Sequence, residues 1–159
     1  MEINNTLSYL IGLFQTDGNQ YKMKDGKKGK FVIELSSKDE DIIINIKDYI
    51  SYNYSISKRN KDTIIKDKKY NSDYIKLSVC DYEFRSFLYE HGVPYGKKSK
   101  TIKPPLHIKN LSIKDYIRGL YDGDGSLGLT SNGFPFISFT TDSDDIAEYL
   151  NKYISEIIE

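Results

Sequence analysis

The 159-residue chain sets 23 basic against 23 acidic side chains and is 38% hydrophobic, which suits one compact domain or two intimate halves and excludes a uniformly basic nucleic-acid binder. No apolar run approaches the roughly 20 residues of a membrane span, and Met1 to Thr6 lacks the charged-then-apolar layout of a signal peptide, so no membrane partner and a cytoplasmic location are expected. A single cysteine, Cys80, rules out an intramolecular disulfide and a cysteine-rich zinc site, and at the end of an apolar strand it reads as buried filler.

Leu10 to Gly18, LIGLFQTDG, carries helix signals that give way at Asn19. NQYKMK, a DGKKGK turn and FVIELSS then read as a hairpin. Ser37 to Ile50 reads as a helix, with Ser37 as N-cap and Asp39, Glu40 and Asp41 in its first turn. YNYSISKRN and DYIKLSVC are strand-like and separated by a polar, lysine-rich loop, after which Asp81 to His91 is a helix stopped by Gly92 and Pro94. The order then restarts with a helix ending in IRGLYDGDG, Ile117 to Gly125. SLGLTS, a turn at Asn132 and Gly133, FPFISFTT and a helix capped by Asp142 or Ser143 follow, the helix running through Ile154. Charge is uneven along this order: from Leu111 onward three basic residues face nine acidic ones, a sum of −6 that leaves +6 for the rest.

The two segments ending at Gly18 and Gly125 match without gaps at Gly12 and Gly119, Leu13 and Leu120, Phe14 and Tyr121, Asp17 and Asp124, and the final glycines. Glycine in mid-helix costs roughly 1 kcal/mol against alanine. Close helix packing offsets that cost, since Ser8, Gly12 and Thr16 form one small-residue stripe and Asp115, Gly119 and Gly123 another. Gly12, Gly119 and Gly123 are therefore expected at a helix–helix interface. Each aspartate would end a helix next to a glycine suited to a left-handed cap. Two carboxylates at two negative helix ends repel, and a divalent cation held by Asp17 and Asp124, with Thr16 and Gly123 beside them, is the simplest remedy.

These motifs, together with GVPYGKKSKTIKPP and LSIKDYIRGLYDGDGSL, resemble the LAGLIDADG, or dodecapeptide, family of homing endonucleases. The resemblance implies an α+β fold: a pseudo-two-fold, duplicated αββαββα arrangement in which the second repeat is shortened. Residues 1–110 would form the first repeat with its basic linker and residues 111–159 the second. It also implies a site-specific endonuclease that cuts double-stranded DNA with Mg2+ or Mn2+, Asp17 and Asp124 being the catalytic acids. Gln15 departs from the pattern where the second copy has Asp122. Alternation then proposes Gln20, Lys22 and Lys24 in the first hairpin, and Ser57, Arg59, Lys61, Lys76 and Ser78 in the second, as the DNA surface. Lys97, Lys98 and Lys100 in the link would neutralise phosphates, and His91 and His107 read as capping or surface residues. With 34 residues after the second motif glycine against 92 between the first and Leu111, the second half is expected to lack a hairpin and a closing helix. A homodimer that supplies the missing surface, or a non-cleaving DNA-binding regulator, intron RNA maturase or degenerate remnant, is the competing expectation.

Overall fold

A computed structural model of the chain describes residues 2–158. Its elements run α1 (Asn5–Thr16), β1 (Gly18–Lys22), β2 (Gly29–Ser36), α2 (Glu40–Tyr49), β3 (Tyr54–Ile65), β4 (Lys68–Val79), α3 (Tyr82–Glu90), α4 (Ile113–Asp124), β5 (Gly125–Leu129), β6 (Pro135–Phe139) and α5 (Asp144–Ile158). The fold is α+β with antiparallel sheets, and its element order is αββαββα followed by αββα. No described helix is long and apolar enough to cross a membrane. Two compact units divide the chain, one of residues 17–86 and one of residues 1–16 with 87–159, so they cut across the two motif-led stretches.

In the unit of residues 17–86 a four-stranded sheet has the order β1-β2-β4-β3. Phe31, Ile33 and Leu35 of β2 lie opposite Val79, Leu77 and Ile75 of β4, and all six are buried. Period-two alternation puts these apolar residues on one face, against which α2 packs with Ile43 and Ile46. Phe84 closes the same core, its ring edge-on to Phe31 at 5.6 Å between centroids. Arg85 is fully buried beside it; its guanidinium lies over the backbone of Gly29 and donates to the Lys27 carbonyl.

The lysine-rich stretch expected as a loop is strand. β3 and β4 pair continuously from Tyr54 opposite Val79 to Ile65 opposite Lys68. Lys66 and Asp67 both have positive φ, 48° and 61°, the signature of a two-residue hairpin turn whose twist matches that of its strands. Burial is not what holds the outer part of this ribbon, since nearly all of β3 is exposed. Polar cross-strand pairs do so: Asn71 donates to Asn60 at 2.6 Å and to Asp62 at 2.8 Å, and Lys69 reaches Asp62 at 2.9 Å. Lys69, and after it Asn71, hold the Asp62 carboxyl below the usual carboxylate range. Cys80, expected to be buried, is exposed just beyond β4.

In the other unit α1 starts at Asn4, whose Oδ1 accepts from the Leu7 N–H at 2.9 Å. α1 packs along α4. Ser8 joins their starts by accepting from the Ser112 N–H at 3.0 Å. Of the two caps considered for α5, Ser143 serves: its Oγ accepts from the Ile146 N–H and donates to the Ile102 carbonyl at 2.7 Å. His91 stacks on Phe87 and bonds its carbonyl at 2.7 Å, while His107 bonds the Glu90 carbonyl at 2.9 Å. Both histidines are thus engaged with local backbone.

Candidate functional site

The contact between α1 and α4 is made where neither helix has a side chain. A Cβ on Gly12 would fall 2.2 Å from the Tyr116 carbonyl oxygen, and one on Gly119 would fall 2.0 Å from that of Tyr9. At the C-terminal end a Cβ on Gly123 would fall 1.9 Å from Thr16 Oγ1. The last turns of the two motif helices therefore lie side by side, and backbone meets backbone along the seam. Thr16 turns its hydroxyl back to the Leu13 carbonyl at 2.9 Å, which leaves its own carbonyl at the helix end.

Neither motif glycine adopts the left-handed cap expected of it. Gly125 has φ −86° and ψ 161°, and Gly18 is absent from the positive-φ residues. Each instead opens a strand directly off its helix. At Gly125 the need is space: a Cβ there would meet the Tyr121 carbonyl oxygen at 2.5 Å.

Asp17, partly buried, follows Thr16 in the chain, and Asp124, exposed, is the last residue of α4. Although Asp124 as a whole is exposed, its carboxyl is partly desolvated, which holds it above its usual range, and the Lys98 ammonium works against that rise. Lys98 was expected among the phosphate-neutralising lysines of the link. Its ammonium instead donates to the Gln15 and Thr16 carbonyls, complementing the negative end of α1. No spacing rule in the sequence singles Lys98 out from Lys97 and Lys100, which are exposed.

Gln15 is fully buried. Its Nε2 donates to the Gly92 and Lys103 carbonyls at 2.6 and 3.0 Å, and its Oε1 accepts from the Tyr116 hydroxyl at 2.6 Å. Burial, and then Tyr149, push that hydroxyl far above its usual range, so it remains a donor. A carboxylate could not donate to the two carbonyls, which explains why glutamine stands here while Asp122, on α4, is exposed. Gln15→Glu should cost roughly 3 kcal/mol, because it sets a charge against two buried acceptors. Urea titration should find the loss at neutral pH, narrowing in acid as the new carboxyl takes up a proton.

Register decides which strand residues share a face. Ser57 lies opposite Lys76 and Ser55 opposite Ser78, so Ser57, Arg59, Lys61, Lys76 and Ser78 are on the face away from Phe31 and Ile33. Ser78 is buried between its neighbours. Arg59 is engaged by Glu34 through two parallel bonds and lies over the Tyr74 ring at 5.5 Å. Gln20, by contrast, lies opposite Phe31 and is fully buried on the core side. It leaves the set of residues able to touch a duplex. Lys22 is exposed at the end of β1 opposite Gly29, and Lys24 lies in the turn. Asn19 and Tyr21, not singled out from the sequence, are the exposed β1 residues on the outer face. The alternation of Phe31, Ile33 and Leu35, with the hairpin register, is the signal that places them.

Paired glycine-lined helices, each leading through an Asp into a β-hairpin, define the class of this α+β protein. The chain belongs to the LAGLIDADG-like domain family, whose pattern it matches over residues 4–92 and 112–157. Among solved structures it is similar to the homing endonuclease I-WcaI bound to its DNA recognition sequence, with a TM-score of 0.48 and 17% identity. That match covers 79% of this chain and 54% of the other, so the chain spans about half the length of the structure it resembles. No curated protein sequence matches it.

Proposed function

We propose that this chain is a site-specific DNA endonuclease in which Asp17 and Asp124 share divalent cations, with the backbone oxygen of Gly123 beside them and the Thr16 carbonyl held by Lys98. The observation that carries this reading is the contact of Gly123 with Thr16, since each of those residues is bonded directly to one of the two aspartates. The donor set fits magnesium, which accepts one or two protein carboxylates and fills its remaining positions with water and substrate phosphate. Among the described residues no group of three or more His, Cys, Asp or Glu is gathered for a metal. When bound, such a cation stabilises charge on the phosphate and lowers the pKa of a bound water. Lys98 holds the end of α1 in place and offsets the rise in the Asp124 carboxyl.

The outer face of the sheet is the proposed duplex surface, with Asn19, Tyr21, Ser57, Lys61 and Lys76 directed at it. A two-stranded ribbon is narrow enough for the major groove, where each base pair presents its own donor and acceptor pattern. Arg59, tied to Glu34, fixes the ribbon's geometry or exchanges that partner for a base. Lys97 and Lys100 supply phosphate contacts that add affinity without sequence information.

A plasmid library with randomised inserts, incubated with the full chain and Mg2+, should yield cut ends sharing one extended sequence, and none in EDTA. Binding of a duplex without cutting in either Mg2+ or Mn2+ would refute the nuclease. It would favour a non-cleaving DNA or intron RNA binder.

A further inference from the structure

Arg85 on α3 is 0% exposed, yet its guanidinium stays charged at every pH a folded protein meets. It donates to the Lys27 carbonyl and lies 5.8 Å from the Tyr82 ring. Nε and Nη1 are buried without a hydrogen-bond partner among the described residues, and no carboxylate among those residues pairs with it. The hairpin makes room for it, since a Cβ on Gly29 would fall 2.5 Å from Nη1. Burying an unpaired charge is destabilising, and an apolar side chain of similar volume would avoid that cost. Stability therefore does not account for an arginine at this position.

What Arg85 holds is the turn between β1 and β2. That turn closes on itself: the Met23 N–H donates to the Lys28 carbonyl at 2.7 Å and the Gly26 N–H to the Met23 carbonyl at 2.9 Å. The Asp25 carboxylate accepts from the Lys27 and Lys28 N–H groups at 3.1 and 3.0 Å. Arg85 ties the turn to α3. Lys24, Lys27 and Lys28 are exposed, and among the described residues none of the three is in an ion pair. On β3 and β4, by contrast, Lys58, Arg59 and Lys69 are each met by a carboxylate, those of Glu40, Glu34 and Asp62. The turn and Arg85 thus gather four cations around one carboxylate, Asp25. Like charges so placed favour an anion from outside the chain, and a duplex backbone presents closely spaced ones.

We propose that Arg85 is a positioning residue for duplex binding: it fixes the turn so that Lys24, Lys27 and Lys28 meet phosphates together, and the duplex supplies the negative charge that its own surroundings lack. The proposal rests on the duplex-binding part of the reading above and not on Asp17, Asp124 or cleavage. Arg85 itself does not touch the duplex; its effect passes through the Lys27 carbonyl. Three lysines on a fixed turn bind as a unit, whereas on a loose one each contact must also order the chain.

Arg85→Met removes the charge and the tether together. In the full chain it should leave the urea midpoint at or above that of wild type, since the freed Lys27 carbonyl can turn to water. Amide exchange at Met23 and Gly26 should quicken by about tenfold or more, with the amides of Ile33 and Leu77 unchanged. Against a fluorescent duplex of random sequence the Kd should rise roughly tenfold, and the slope of log Kd on log salt should fall by about two. Lys24→Ala, Lys27→Ala and Lys28→Ala together should weaken wild-type binding at least as much, and binding by the Arg85→Met variant by no more than about twofold. A lowered urea midpoint, unchanged exchange in the turn, or a full additive loss from the lysines in the variant would overturn the proposal. A wild type that binds no duplex would fail the reading beneath it, whereas a bound duplex indifferent to Arg85→Met would fail the tether alone.

Discussion

Gly119→Ala should destabilise the protein by about 3 kcal/mol or more, although alanine is the better helix former by about 1 kcal/mol. The added methyl has nowhere to go: it would sit 2.0 Å from the Tyr9 carbonyl oxygen and 2.8 Å from the Leu13 nitrogen, and backbone cannot rotate away. Gly12→Ala should behave alike, since its neighbours are the Tyr116 carbonyl oxygen at 2.2 Å and the Leu120 nitrogen at 2.9 Å. Gly123→Ala meets a side chain, that of Thr16, so its cost should be smaller and should fall further when combined with Thr16→Ala. Urea unfolding of the three variants and the double variant checks this ranking. Equal losses at all three glycines would mean that the seam does not set helix separation.

On the proposed reading, Asp17→Asn and Asp124→Asn should each lower the rate of DNA cleavage by roughly a thousandfold or more while leaving duplex affinity within a few fold, because each would remove a carboxylate needed to hold the cation. Stability offers an independent readout. Partial desolvation, opposed by Lys98, holds the Asp124 carboxyl above the usual carboxylate range in the folded chain, so the folded state holds the proton more tightly than the unfolded state. Ionising Asp124 therefore subtracts stability as pH rises through that window. Asp124→Asn should accordingly be at least as stable as wild type at neutral pH, and the difference should vanish below the ordinary carboxylate value. Thermal unfolding across pH measures it. A variant less stable at pH 7 would place Asp124 in a structural role.

The α+β class and the element order were legible because they rest on strong local signals: glycine-bearing apolar helices, period-two strands and a turn at Gly133. What eluded the sequence depended on neighbours distant in the chain. The stretch from Lys61 to Ser72 has no apolar face, so hydrophobic periodicity is silent there, and the ribbon is held by Asn and Asp pairs that appear only once the register is known. Gln20 reads as an outward polar residue until Phe31 opposite it fixes the face. Gln15 reads as a departure from an acidic pattern, whereas its partners, Gly92, Lys103 and Tyr116, lie 77 to 101 residues away. Lys98 looks like any lysine of a basic link, yet fold topology brings it to the carbonyl end of α1. The left-handed caps assigned to Gly18 and Gly125 fail for a related reason: each helix passes straight into a strand, so no reversal of the chain is needed.

Binding of Mn2+ to the full chain, followed through paramagnetic broadening of amide resonances, tests the shared cation site without relying on activity. Thr16 to Gly18 and Gly123 to Gly125 should broaden together at the same metal concentration, and either Asp17→Asn or Asp124→Asn should abolish both effects. Broadening confined to one motif, or surviving at one after the other's aspartate is replaced, would contradict a paired centre.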